Sequence, residues 1–365
     1  MVTTSDDYLP FDLRAASDEE YARLNAFKNV GRREVLPEDP PVPCDEDVAL
    51  WQALPAFVEQ TAWARWDRLH ESILAFAEAH IHHTGDNPNL MEIKIEVLPE
   101  FRRQGTARGL LRLIAEHSRR HSRRLLVAEC NDRVPAGAAF LTRIGATRGL
   151  QEALNQLRLE DLDRSLVRRW LGASRPLAQD FDLVLWTEAY PPERLTEFSA
   201  VLQVAANDEP RESLELEDRN FAPEIVRQWD EFQRAGTQQR WTLVAIERRS
   251  DRIAGLTELT WSPNRPAIVD QHFTGVLPEY RNRGLGRWLK AAMLEKILTD
   301  LPEVQLIRSG NAGSNAPMLK INRALGFRPH LGWSTWQVTL DSVDQYLAGA
   351  HRSPANAADA TTPGV

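Results

Sequence analysis

Apolar residues in this chain follow two rhythms that take turns. Some stretches alternate every second residue or run continuously apolar, as strands do; others repeat every third or fourth residue, as amphipathic helices do. On this pattern a short strand is predicted near Phe11–Arg14, then helices through about Phe57, then strands over Gln60–Trp66, Ser72–His82 and Leu90–Leu98. A helix over Gly105–Arg119, a strand over Leu125–Cys130 and a helix ending near Ile144-Gly145-Ala146 follow, and residues 151–162 are expected to close the sheet. Residues Val35–Asp47, rich in proline and acid, read as a surface loop. A helical stretch, Leu162–Leu171, and the segment Gly172–Pro176 form a connector.

The same order then returns. Asp182–Thr187 reads as a strand, Glu193–Val204 and Pro223–Ala235 as helices, and Trp241–Glu247, Arg252–Trp261 and Ala267–Leu277 as strands. A helix over Gly284–Thr299 places Leu285, Leu289, Met293 and Ile297 four apart on one face. A strand over Val304–Ser309 and a helix ending at Leu325-Gly326-Phe327 complete the second series. The expected fold is α/β with a mixed sheet (α+β), in two tandem domains: residues 9–162, a linker over 163–180, and residues 181–350. A small, polar tail over 351–365 is expected to be disordered.

The chain has 365 residues, enough for two domains that each bury a core. Its net charge of −8 excludes general affinity for nucleic acid or for an anionic membrane. No apolar run reaches the roughly 18 residues of a membrane span, and the N-terminus lacks the pattern of a signal peptide. With two cysteines, Cys44 and Cys130, and no disulfide framework, a cytoplasmic setting is expected. His80, His82 and His83 lack a spacing that supplies a third ligand, so no metal is expected. The basic run Arg119–Arg124, which contains His121, reads as a solvated helix end.

The repeat is sharpest at one segment. Val97-Leu98-Pro99-Glu100-Phe101-Arg102-Arg103-Gln104-Gly105-Thr106-Ala107-Arg108 returns as Val276-Leu277-Pro278-Glu279-Tyr280-Arg281-Asn282-Arg283-Gly284-Leu285-Gly286-Arg287, with seven of twelve positions identical. Glycine lets backbone approach a ligand closely. The N–H groups that open the following helix converge with its dipole, and arginines add charge, so the segment suits a pyrophosphate.

The second copy, Arg281-x-x-Gly284-x-Gly286, together with Asn311–Phe327 and its Leu325-Gly326-Phe327 ending, resembles the GNAT superfamily of acyl-CoA-dependent N-acyltransferases. The first half matches through Arg102–Ala107 and the ending Ile144-Gly145-Ala146. The resemblance covers most of the chain. It implies acetyl-CoA as cofactor and a small-molecule amine as acceptor, with no nucleic-acid or membrane partner and with monomer or homodimer left open. The backbone of Gln104–Ala107 or Arg283–Gly286 would hold the pyrophosphate. Val97, Leu98, Arg102, Arg103, Gly105 and Thr106 in one copy, and Val276, Leu277, Arg281, Asn282, Gly284, Leu285 and Arg287 in the other, complete the two expected cofactor sites. Asn315 would hydrogen-bond the pantetheine arm.

An amine attacks a thioester only as the free base, so the site must take up a proton. In the resembled family a carboxylate often stands eleven residues before the loop arginine. That position is Asp270, with His272 on the same strand face and Glu258 on the preceding strand. In the first half the same count reaches Met91, which accepts no proton. Glu92, Lys94 and Glu96 alternate beside it and read as a solvated face. The family's thiolate-protonating tyrosine is replaced by Asn322, and by Leu141 in the first half. These features place the expected chemistry in the second half, with Asp270 and His272 as catalytic residues. The alternative is a non-catalytic protein that binds acyl-CoA or sequesters a small molecule.

Overall fold

The computed structural model describes residues 8–187 and 189–349. The expected tail over 351–365 lies outside them. The first half contains β1 (Tyr8–Phe11), α1 (Asp18–Val35), α2 (Cys44–Gln52), β2 (Val58–Trp66), β3 (Ile73–His82) and β4 (Leu90–Val97). It continues with α3 (Thr106–Arg120), β5 (Leu125–Asn131), α4 (Pro135–Arg143) and β6 (Thr147–Arg158). Helices α5 (Arg164–Ala173) and α6 (Leu177–Asp180) connect to the second half. There follow β7 (Phe181–Trp186), α7 (Leu195–Asn207), α8 (Pro223–Gln233), β8 (Gln239–Glu247), β9 (Arg252–Trp261) and β10 (Ile268–Val276). The described residues end with α9 (Leu285–Asp300), β11 (Leu306–Ala312), α10 (Ala316–Leu325), β12 (Arg328–Thr339) and α11 (Leu340–Leu347).

The twelve strands of the described residues join one mixed sheet in the order β1-β2-β3-β4-β5-β12-β6-β11-β10-β9-β8-β7. The two halves exchange their last strands. The final strand, β12, pairs with β5 of the first half, and β6 pairs with β11 of the second. The two exchanged strands also pair with each other at the centre. This corrects the expectation that residues 151–162 close the first sheet: the strand is Thr147–Arg158, and it lies beyond β12 from β5. The cores show the same exchange. Leu157 of β6 is buried with Ile307, Phe327 and Leu289, while Val338 of β12 is buried with Leu126, Leu110 and Ile114.

Local chemistry accounts for the elements that flank the site. Ser17 and Glu20 form a capping box that starts α1. In α9 the expected stripe is real: Leu285, Leu289, Met293 and Ile297 are all buried. Each such side chain contributes roughly 1.5–3 kcal/mol. Only the starts of the central parallel pairs are joined. Leu90–Ile93 of β4 pair with Leu125–Ala128 of β5, and Ile268–Asp270 of β10 pair with Leu306–Arg308 of β11. Beyond those points the strands separate, which opens a split in each half.

Candidate active site

Both copies of the repeated loop take one backbone shape. Arg103 and Gly105 have φ of 63° and 85°, and Asn282 and Gly284 have 62° and 98°. Gly105 and Gly284 are the N-caps of α3 and α9, and neither helix start is closed by a side-chain hydrogen bond. The first-turn N–H groups therefore have no intrahelical acceptor and form an anion seat. The leading arginine of each loop is occupied elsewhere. Arg102 Nε donates to the Val97 carbonyl at 2.9 Å, and its Nη atoms donate to both Glu34 oxygens at 2.7 and 2.5 Å. Arg281 Nε donates to the Val276 carbonyl at 2.9 Å, and Arg281 pairs with Asp208 at 2.9 Å. Each guanidinium thus pins the strand end to the end of its half's first long helix, and shapes the loop rather than pointing at a ligand.

A cavity of about 2510 Å3 runs between the halves. The first loop lines it through Arg102, Arg103 and Gly105–Arg108, and so do the facing strands of the first split, from Glu92 to Val97 and from Val127 to Asn131. The second half adds His272, Phe273, Gly310–Ala312 and Asn315, but among the described residues its loop, 281–287, is not on the wall. That loop has neighbours in ordinary contact. Leu177 lies 3.8 Å from where a Cβ would stand on Gly284, Ile321 lies 3.9 Å from the same point on Gly286, and Arg283 pairs with Asp180 at 3.0 Å. Nothing lies within 4 Å of the equivalent point on Gly105.

The second-half candidates separate on inspection. Asp270 forms an ion pair with Arg265, which is also 3.6 Å from Asp39. Asp39 accepts two bonds of 2.6 Å from buried Arg308, whose Nε donates to Gln156 at 3.0 Å. So the loop expected at the surface reaches across and ties the base of the second split, and Asp270 belongs to that tie. Glu258 is buried and accepts from the hydroxyls of Tyr190 and Thr242 at 2.8 and 2.6 Å. His272 is exposed to the cavity and lies 2.7 Å from the Thr260 hydroxyl, on a strand whose register shifts between Gln271 and Thr274. Asn315 caps α10, accepting from the Met318 N–H at 3.4 Å. Asn322 is buried, donating to Asn311 at 2.7 Å and accepting from Lys290 at 2.8 Å.

In the first half Met91 is buried core, and Glu92 and Lys94 face the cavity. His82 Nε2 is 3.6 Å from Glu92, and burial holds this imidazole below its ordinary pKa against the opposing pull of Glu92. Further carboxylates gather where the halves meet: Glu129 of β5, Glu152 of β6 and Glu209 after α7. Burial, and then the neighbouring Glu129 and Glu209, raise the pKa of Glu152; burial raises that of Glu209. Sequence reasoning did not single these residues out, because no motif joins them. They meet only because β6 is exchanged and because residues 207–221 of the second half fold over the first-half cavity. Contacts that seat this segment include Glu215 N–H to Gln337 at 2.8 Å and Ser213 N–H to Gly149 at 3.0 Å.

Comparison with known proteins agrees with this architecture. The model of the acetyltransferase (GNAT) family matches residues 32–145. No curated protein matches the chain. A tandem GNAT protein from the clavulanic acid biosynthesis pathway, solved without acetyl-CoA, has a similar structure, with a TM-score of 0.73 at 23% identity over 91% of this chain and 98% of that one. A GCN5-related N-acetyltransferase from Sphaerobacter thermophilus gives a TM-score of 0.61 at 12% identity, over 92% and 96%. A fungal glucosamine N-acetyltransferase region gives 0.61 at 15%, over 91% and 38%. The fold is therefore a two-domain acyltransferase fold. Residues 32–145 match the GNAT family model, and the chain as a whole has the fold of tandem GNAT proteins.

Proposed function

We propose that this protein is an acetyl-CoA-dependent N-acetyltransferase of a small cationic amine. The observation that carries the proposal is the single cavity that joins an open anion seat and a split strand pair to a chamber walled by carboxylates. The residues present fit the donor. The first-turn N–H groups of α3 suit its pyrophosphate, and the edge of β4 beyond Ile93, without a strand partner on its β5 side, suits an amide-bearing arm. When bound, acetyl-CoA supplies an acetyl group activated as a thioester. The carboxylates of Glu129, Glu152 and Glu209 favour a cationic acceptor, since a positive charge relieves their crowding. Glu92, at the start of the split, takes up the amine proton directly or through water, with His82 Nε2 behind it.

A second reading places the chemistry in the second half, with His272 as base. The shifted register of β10 and the place of His272 on the cavity wall favour it. Position-matched loop variants separate the two. Arg103→Glu is expected to abolish acetyl-CoA binding in native mass spectrometry, while Asn282→Glu retains it; the reverse result would move the donor to the second half. Glu92→Gln is expected to keep binding and to lower thiol release with an amine panel by about 10²–10⁴-fold. Tight binding with no release from the unaltered protein across the panel would instead support a non-catalytic acyl-CoA-binding protein.

A further inference from the structure

Away from the cavity, three side chains from two elements converge on one point. Glu59 is the second residue of β2, while His117 lies in the last turn of α3 and His121, four positions on, is its C-cap on the same face. One ligand atom from each lies within 4.8 Å of the other two. His121 Nδ1 is 3.4 Å from one Glu59 oxygen, and His83 Nε2 is 2.9 Å from the other. The two helix imidazoles lie with centroids 4.2 Å apart, and His117 is buried edge-on against Trp63. Three imidazoles thus surround this one carboxylate.

We infer that Glu59, His117 and His121 form a binding site for a divalent transition metal ion of the zinc class. The donor set is nitrogen and carboxylate oxygen, which suits zinc or cobalt better than calcium or magnesium. Bonds of about 2.0–2.1 Å in a tetrahedron set ligand atoms about 3.3 Å apart, so separations of up to 4.8 Å must close by up to about 1.5 Å. Small side-chain rotations of half-buried His121 and Glu59 supply that. His83 holds the second oxygen of Glu59 and orients it, and water completes the shell. None of the three ligands lines the cavity, so the site is a clip. It ties β2 to the end of α3, whose other end, about 22 Å away at 1.5 Å per residue, carries the anion seat.

The test uses the full chain, stripped with a chelator and titrated with Zn2+ by calorimetry and with Co2+ by visible absorption. One equivalent of Zn2+ is expected, with a rise in the thermal unfolding midpoint and d–d bands typical of four-coordinate Co2+. His121→Asn and Glu59→Gln, both at positions that are not fully buried, should weaken binding about tenfold or more. His82→Asn, at the cavity, should leave it unchanged. Absence of saturable binding, or equal binding in the His121→Asn and Glu59→Gln proteins, overturns the inference.

Discussion

Replacing Lys290 by leucine tests how the second half is built. Lys290 is fully buried on α9, and its amine bonds only to the neutral amides of Gln271 at 2.9 Å and Asn322 at 2.8 Å. Burial pushes its pKa from 10.5 down to about 7. In the first half the equivalent positions hold Leu111 and Leu141, both buried. A fall of that size corresponds to about 4–5 kcal/mol of cost to folding at low pH. The sign follows from proton counting. Below pH 7 both states hold the proton and the whole cost is present. Between pH 7 and 10.5 the unfolded chain holds a proton that the folded chain lacks, so stability rises with pH. From pH 6.5 to 9 this group alone should add about 2.5 kcal/mol to the native protein and nothing to Lys290→Leu. At neutral pH the variant removes the burial cost but leaves two amides short of a partner, at about 1–3 kcal/mol each. Urea unfolding of both proteins at the two pH values measures the difference, in which all other titrations cancel. A gap between them that does not change with pH would refute a neutral buried lysine.

Other perturbations act on the ties between elements. Asp39→Asn leaves buried Arg308 without its bidentate acceptor, and a loss of about 3–5 kcal/mol in urea unfolding is expected. Arg102→Lys gives up the paired bonds to Glu34. It should weaken acetyl-CoA binding several-fold by loosening the first loop, while global stability moves by no more than about 1 kcal/mol, as calorimetry and thermal unfolding together would show.

Much of this architecture was legible in the sequence because it is local. The strand, proline, loop and helix of each repeat are written in adjacent residues, and the positive-φ glycines Gly105 and Gly284 stand where the motif puts them. Gln271 turns away from the face of Asp270 and His272, as strand alternation predicts, to bond with Thr257. What was not legible depends on distant partners. Counting from the loop finds Asp270, but no count reveals that Arg265, nearby, and Asp39, more than two hundred positions earlier, join it in one ionic tie. The segment Arg328–Thr339 carried no expectation, and it is the strand that joins the halves. Glu59 and His117 meet only through packing of a strand on a helix end, so no spacing rule brings them together.

The strand exchange has a consequence for how the protein is made. Ser334 of β12 bonds with Cys130 of β5 across a separation of 204 positions. At synthesis rates of about 5–20 residues per second, that separation takes about 10–40 s to emerge from the ribosome. Throughout that interval β5 presents an unpaired edge, the kind of surface that invites pairing with another nascent chain. The first half of this polypeptide therefore cannot finish folding as it leaves the ribosome; it waits for the last strand, and its yield in a cell depends on how well that open edge is guarded.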